Sequence, residues 1–355
     1  MQFLFGIINK PLGWVLEFIA GLTGGSFAAA VFIFTVLINL ALIPLSIKSQ
    51  KSSVQQTRIK PKLDELKKQC GDDRQKYSME MQNLYREENV SMSGGCLPMI
   101  LRLVLMLSIY YLILSPLTYM TGIESDRINN VSTTISSAMQ DLKKENKDEY
   151  DKLVKKINWN ESVNSRELNI VSIIRNDSDV LKEILSEDEY DKIKDDLEYI
   201  TKKDKEADID YSFITSKINL TQTPKFSFDI FHDAQLIWIM PILAFAAQML
   251  SSIISMKIQK RVNPDAPNMM GMMLFMPLVT LFIGFGFPSG VAFYWTCSSI
   301  VGGLIQAGVQ TFYGPNKMLA RQRGKELLKQ YEFEAGQVKK LGQPQESQIN
   351  GEESK

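Results

Sequence analysis

The sequence predicts an all-α integral membrane protein. Five transmembrane helices would surround a polar groove, with an amphipathic interfacial helix at the amino end and a cytoplasmic helical hairpin. Three observations carry this. Residues 27–47, 96–117, 234–256, 270–287 and 289–312 are apolar blocks of 18 to 24 residues, long enough to cross a bilayer, and charged segments separate them. Two of the blocks are interrupted by polar side chains, Asn39 and Arg102. A guanidinium in hydrocarbon costs roughly 2.5–3.5 kcal/mol on insertion scales, so it persists where it faces protein or a water-filled cavity. Finally, the chain is neutral overall, with 40 Lys/Arg against 40 Asp/Glu, yet its basic residues gather in alternate connecting segments.

Residues 1–25 read as an interfacial helix and not as a sixth span. Lys10, Pro11 and Glu17 interrupt it, while Leu4, Ile8, Leu12, Val15, Ile19 and Leu22 recur at helical spacing beside Trp14. An ordinary packed helix fits the same spacing. Gly21, Gly24 and Gly25 then end it. The start resembles neither a cleavable signal peptide nor an Arg-rich transit peptide. Residues 26–48 form the first expected span.

Residues 49–95 read as a helical hairpin turning at Cys70-Gly71-Asp72-Asp73. Gly71 is the helix stop, and Asp72 or Asp73 caps the next helix. Apolar positions are sparse (Ile59, Leu63, Leu66, Tyr77, Met81, Leu84, Tyr85), which suits a narrow contact seam. The second span covers 96–119. Residues 120–233 follow as a long insertion rich in Asp, Glu, Lys, Asn and Ser. Its segments 137–157 and 179–203 read as charged helices of a small domain.

Spans three, four and five are expected at 234–256, 270–287 and 288–313, with a loop at 257–269 and a polar tail at 314–355, helical to about residue 336. Pro241 and Pro277 fall within the third and fourth, where proline frees a carbonyl and favours a kink. Phe287-Pro288-Ser289-Gly290 makes a tight turn between the last two.

Loop charge orients the spans. Segment 48–95 has ten Lys/Arg, the tail 314–355 has eight, and 257–269 has Lys257, Lys260 and Arg261. With five spans these fall on one side, which the positive-inside rule makes the cytoplasm. The amino terminus and the insertion then lie outside. The insertion has seventeen basic and twenty-five acidic residues and is too long to count in that rule.

The chemistry of an enzyme is not legible. Cys70, Cys96 and Cys297 all lie away from the insertion, so no structural disulfide is expected there. His232 is the lone histidine, no metal-ligand spacing occurs, and no G-x-x-x-x-G-K-[ST] loop or nucleic-acid motif is present. No cofactor is expected. Two other classes fit an intramembrane charge among kinked helices: a small-solute transporter and a passive scaffold subunit of another translocase. The five spans show no internal repeat of the kind many transporters carry.

An ordered set of motifs resembles the YidC-type membrane protein insertases of the oxidase-assembly superfamily. The set begins with Lys10-Pro11-Leu12-Gly13-Trp14, then Pro44-Leu45 closing the first span and Pro61 in the helix after it. Asp72-Asp73-Arg74, Glu80-Met81 and Leu84-Tyr85 lead into Gly94-Gly95-Cys96-Leu97-Pro98, and Phe287-Pro288-Ser289-Gly290 precedes Tyr294-Trp295. The resemblance covers roughly 2–119 and 234–315; the insertion lies where the family usually has a modest loop. It implies a bacterial plasma-membrane insertase and chaperone, not an enzyme, whose partners are nascent membrane proteins and the bilayer, with the ribosome and the Sec translocon as further candidates. A hydrophilic substrate tail would enter the groove while its apolar segment slides into lipid. The implied groove residues are Thr35, Asn39, Arg102, Tyr294, Trp295, Ser298 and Ser299. Where the family has a first-span arginine this chain has Asn39. Arg102 stands at the second-span position that usually holds glutamine, and Ser299 replaces a small asparagine. The groove charge is thus expected to have changed helix.

Overall fold

The computed structural model describes residues 2–91, 97–176, 179–213, 217–224, 226, 235–262 and 270–341. Cys96, His232, the loop 263–269, the tail beyond 341 and the Arg102 side chain lie outside the described set. The described chain is almost wholly helical, with one two-stranded β-hairpin.

Helix α1 spans Gln2–Leu22. Leu12, Val15, Leu16, Ile19 and Ala20 pack inward, whereas Ile7, Trp14, Phe18 and Leu22 stay exposed on the opposite side. Both faces are apolar, so the sequence spacing did not separate them: Ile8 and Leu22, expected with Leu12, are exposed. Gly24 and Gly25 follow at positive φ, +66° and +81°.

Helix α2 (Phe27–Ala41) starts on Ser26, whose Oγ accepts from Ala29 N. At Leu42 the chain bends by 45° into α3 (Ile43–Cys70). Pro44 sits in the first turn of α3 and has no N–H to continue the ladder of α2, which accounts for the break. Gly71 at φ +54° ends α3. Asp73 then caps α4 (Arg74–Glu87), accepting from the amides of Gln75 and Lys76 at 3.1 and 2.9 Å. Glu88 holds the two helices together through Arg58 at 2.9 Å and through Lys62. Val54 and Ile59 of α3 and Val90 just after α4 are buried, while α4 itself buries no residue fully.

Helix α5 (Leu97–Leu114) continues through Ser115 into the short α6 (Pro116–Tyr119). The insertion then folds as a helical domain: α7 (Ser125–Glu145), α8 (Lys147–Lys156), α9 (Arg166–Asn176), α10 (Val180–Ile184) and α11 (Glu187–Ala207). Ile128, Val131, Ile135 and Met139 of α7 recur at helical spacing and are buried against Ile193, Leu197 and Ile200 of α11 and other apolar residues of the domain. Asn146 both ends α7 and caps α8, which divides the stretch expected as one helix at 137–157. Likewise Ser186 and Glu189 form a capping box that starts α11 inside the stretch expected at 179–203. A hairpin follows, with β1 (Ser212–Phe213) antiparallel to β2 (Ile218–Asn219) and Ser212 opposite Asn219.

The chain ends in α12 (Ile239–Val262), α13 (Met270–Gly284), α14 (Ser289–Phe312) and α15 (Pro315–Leu341). Pro277 lies inside α13. Pro241 does not kink a span: α12 begins only at Ile239, after a 3-10 turn at Leu236–Trp238, so Pro241 occupies the first turn, where its missing N–H costs nothing. Pro288 caps α14.

Among the described residues, Leu236–Ile258 is by itself long and apolar enough to cross a membrane. The bent pair Phe27–Ala41 and Ile43–Gln56 makes a second if it is one span; Val104–Leu114 and Leu274–Gly284 are apolar but shorter. The 24 residues of α14 are long enough yet carry Thr296, Ser298, Ser299, Gln306 and Gln310. Large side chains such as Phe32, Leu37, Leu250, Phe275, Phe282 and Leu304 are exposed on α2, α12, α13 and α14. An apolar outer surface on helices with polar contacts between them is the pattern of a helical membrane protein.

Candidate functional site

Helix α14 lies between α2 and α12, and two adjacent glycines let both approach. A Cβ built on Gly302 would stand 3.3 Å from Asn39 Oδ1 of α2. One on Gly303 would stand 2.4 Å from Ser251 Oγ of α12, and 3.1 Å from its Cβ. Small residues facing polar ones at close range are the ordinary means of packing helices in lipid. Asn39 comes twelve residues after Phe27, and Gly302 thirteen after Ser289, so α2 and α14 run parallel at nearly equal depth.

The polar side chains at this seam face inward for local reasons. Thr35 is 1% exposed, and its Oγ1 donates to Val31 O at 2.6 Å, one turn back. Asn39 Nδ2 donates to Thr35 O at 2.8 Å, which leaves Oδ1 aimed at Gly302. Ser298 and Ser299 are half-buried, each one turn before a glycine of the pair. By helical spacing Ser298 therefore lies on the α2 side and Ser299 on the α12 side. One turn before Ser251, Gln248 has an enclosed Oε1 with no hydrogen-bond partner among the described residues.

Toward the start of α14, Tyr294 is buried and Trp295 half-buried. The Trp295 ring meets Phe287 edge-on at 5.9 Å, and Phe287 meets Tyr110 of α5 at 5.0 Å. Trp295 Nε1 is enclosed without a partner among the described residues. Buried donors and acceptors are nearly always paired, so Gln248 Oε1 and Trp295 Nε1 mark a place suited to water or to a polar guest.

The structure thus brings Thr35, Asn39, Ser298 and Ser299 to the faces where α14 meets α2 and α12, and sets Tyr294 and Trp295 about one turn nearer the start of α14 than the two serines. The backbone of Arg102 lies in the second turn of α5; its side chain is outside the described set. Sequence reasoning missed Gln248, Ser251 and the Gly302-Gly303 pair. The signal was present: Gln248, Ser251 and Ser252 interrupt an apolar run within about one turn of each other, just as Asn39 interrupts another.

Comparison with known proteins follows from this geometry. The model of the 60Kd inner membrane protein family matches residues 18–201 and 210–316. The match therefore runs through most of the insertion as well as through the helices of the seam. Among curated relatives, the chain is 39% identical over 107 residues to "Membrane protein insertase YidC" of Ectopseudomonas mendocina (strain ymp), which is 30% of this chain and 18% of that protein. A protein of the same name from Pseudomonas aeruginosa (strain LESB58) gives the same identity and coverage. That of Haemophilus influenzae (strain PittEE) is 40% identical over 105 residues, 29% of this chain and 19% of the relative. The chain thus spans about a fifth of the length of the curated relatives it matches. With more than half of its residues under one family model, and a helical architecture whose outer surface suits lipid, the chain belongs to the 60Kd inner membrane protein family.

Proposed function

We propose that this protein is an inner-membrane insertase and chaperone, and that the seam between α2, α12 and α14 is its path for hydrophilic substrate tails. The observation that carries the reading is Asn39 Oδ1 against Gly302; Gln248 Oε1, enclosed and without a partner among the described residues, lies one turn before Ser251 on α12. Asn39 lies twelve residues into α2, about 18 Å at 1.5 Å per residue, which is past the middle of a hydrocarbon core about 30 Å thick. In this reading the seam opens to the inner side and is shut toward the outer. The names of the matched relatives agree with the reading.

In this reading the five apolar stretches all span, with the amino terminus outside and the tail inside. Nascent membrane proteins are the substrates, and the α3–α4 hairpin with α15 faces the cytoplasm, where ribosome or Sec contact would occur. Arg102 supplies the groove charge in place of Asn39. An acidic group about 4 Å from it gains roughly 4 kcal/mol at an effective dielectric near 20, before desolvation is subtracted. The remainder biases acidic tails into the groove.

The test uses purified protein in vesicles and two substrates that differ only in tail charge. Arg102→Ala impairs insertion of the acidic-tailed substrate more than the neutral one. Asn39→Arg with Arg102→Gln restores much of the activity, because the cavity feels the charge whichever helix bears it. Asn39→Arg alone is worse, since two cations then share one poorly solvated groove. Full activity of Arg102→Ala on the acidic substrate would end the groove-charge reading. Orientation is checked by labelling Lys152→Cys, an exposed site on α8, in intact cells; labelling only after permeabilisation reverses the topology.

A further inference from the structure

We propose that the inserted domain is a brace: it caps α2, α6 and α14 at once and so fixes the spacing of the helices that form the seam. The first amides of a helix have no partner within it and must find one elsewhere. Here the insertion supplies it three times. Phe27 N, at the start of α2, donates to Asp210 O at 2.9 Å. Ser289 N and Gly290 N, at the start of α14, donate to Gln222 O and Leu220 O, both at 2.8 Å. Thr118 of α6 donates its N–H and its hydroxyl to the two oxygens of Glu167, at 3.0 and 2.6 Å.

The surfaces are built for this approach. A Cβ on Gly25 would fall 2.1 Å from Asp208 O, and one on Gly290 would fall 3.0 Å from Leu220 O. Ser289 Oγ is 3.0 Å from both Asn219 O and Gln222 O. Apolar rings back the polar ties: Tyr211 on Phe27 at 5.0 Å and Phe213 on Phe293 at 4.9 Å.

Helix α9 joins two of the ties mechanically. At its start Glu167 grips Thr118. Two turns on, Arg175 clasps Asp204 through Nε and Nη2, both at 2.7 Å, and donates to Ile209 O through Nη1. Its guanidinium also lies 4.7 Å from the centre of the Tyr211 ring. Arg175 thereby holds the 209–211 segment whose Asp210 caps α2. The distance from Glu167 to Arg175 is about 12 Å along a rigid helix. Release at one end is felt at the other, and a domain outside the membrane sets the gap between α2 and α14 within it.

This inference rests on the seam being the substrate path, and the experiment separates the two. Amide hydrogen exchange is followed on the full chain in lipid nanodiscs, comparing the wild type with Glu167→Ala, Glu167→Gln and Ser289→Ala. Glu167→Ala speeds exchange at Phe27, Ser289 and Gly290 as well as at Thr118, by about tenfold or more, since a hydrogen bond to a charged acceptor is worth at least a decade in an opening equilibrium. Ser289→Ala, which removes one hydroxyl and threatens folding least, speeds exchange at Phe27 in the same way. Glu167→Gln keeps an acceptor for Thr118 and stays near the wild type. Acceleration confined to the mutated tie in both alanine variants overturns the brace. Photocrosslinking of an acidic-tailed substrate from position 39 is measured in parallel. Its absence in the wild type refutes the seam as substrate path and leaves the exchange result to decide the brace.

Discussion

Asn39 Oδ1 stands 3.3 Å from the place where a Gly302 side chain would begin, so the polar side chain of one helix is accommodated by the lack of one on its neighbour. The same holds on the other side of α14, where a Cβ on Gly303 would come still closer to Ser251 Oγ, at 2.4 Å. The two contacts fix α14 against both flanking helices.

Gly303→Ala should therefore destabilise the bundle by about 1–3 kcal/mol, the usual cost of forcing atoms into a packed interface. Rotating Ser251 relieves the clash with Oγ but leaves its Cβ at 3.1 Å. In a Ser251→Gly background, which removes both atoms, the cost should fall to less than half. Thermal melting in detergent of the two single variants and the double variant measures this as a cycle. Additive effects would show that the two residues do not meet.

Arg175→Leu should be among the most harmful single changes in the insertion. It strands Asp204, whose side chain is 4% exposed, with a charge and no guanidinium. Breaking a buried pair from one side costs about 3–5 kcal/mol. Loss of a cooperative melting transition for the insertion, with the apolar helices still folded, is the expected readout. A shift of only a degree or two would mean that water reaches Asp204.

Glu167 gives the inserted domain a pH dependence. Burial pushes its carboxyl above the ordinary value of 4.5, against the opposing pull of the Thr118 hydrogen bonds and the nearby Arg166 charge. The folded state thus binds the proton more tightly than the unfolded one, and the stability this adds is lost as pH rises from about 4.5 through the raised folded value. Melting temperature should climb on acidification from pH 7 toward pH 5, after the response of other groups is subtracted using Glu167→Gln. An identical slope in that variant would place the titration elsewhere.

The hairpin should be the loosest helical unit outside the tail. Its seam is thin, α4 buries no residue fully, and Glu88 holds it through exposed pairs with Arg58 and Lys62. Exposed pairs contribute about 0.2–1 kcal/mol and are screened by salt. Amides of α4 should exchange far faster than those of α12 and α14, and faster still at high salt. Protection equal to that of α12 would refute a mobile hairpin.

Much of this was legible in the residues. Asp73 as a cap, Gly71 as a stop and the helical run after Gly25 follow from local chemistry that tertiary contacts do not override. Asn39 was legible because a polar residue in an apolar run is costly and must have a use. Other features needed three dimensions. Nothing local says that α1 has two apolar faces, one for protein and one outward, or that Ile8 and Leu22 near its ends stay exposed. Pro241 read as a kink because the apolar run starts before the α-helix does. Gln248 obeyed the same rule as Asn39 and was passed over because it lies among methionines and alanines. Asn146 and Ser186 act as caps only once the breaks beside them are seen. The ties between the insertion and the helix ends join residues that no periodicity relates.

One of those ties bears on how the chain is made. The amide of Phe27 is capped by Asp210, 183 residues later in the sequence. At roughly 5–20 residues per second of synthesis, the first apolar helix waits on the order of ten to forty seconds before the residue that completes it exists. During that interval the Phe27 amide has only solvent as a partner. The contact is non-local, and such closures come late because the loop entropy must be met first. A ribosome stalled before residue 210 would therefore display a first helix that is unfinished, and the maturation of this protein is timed by its own inserted domain.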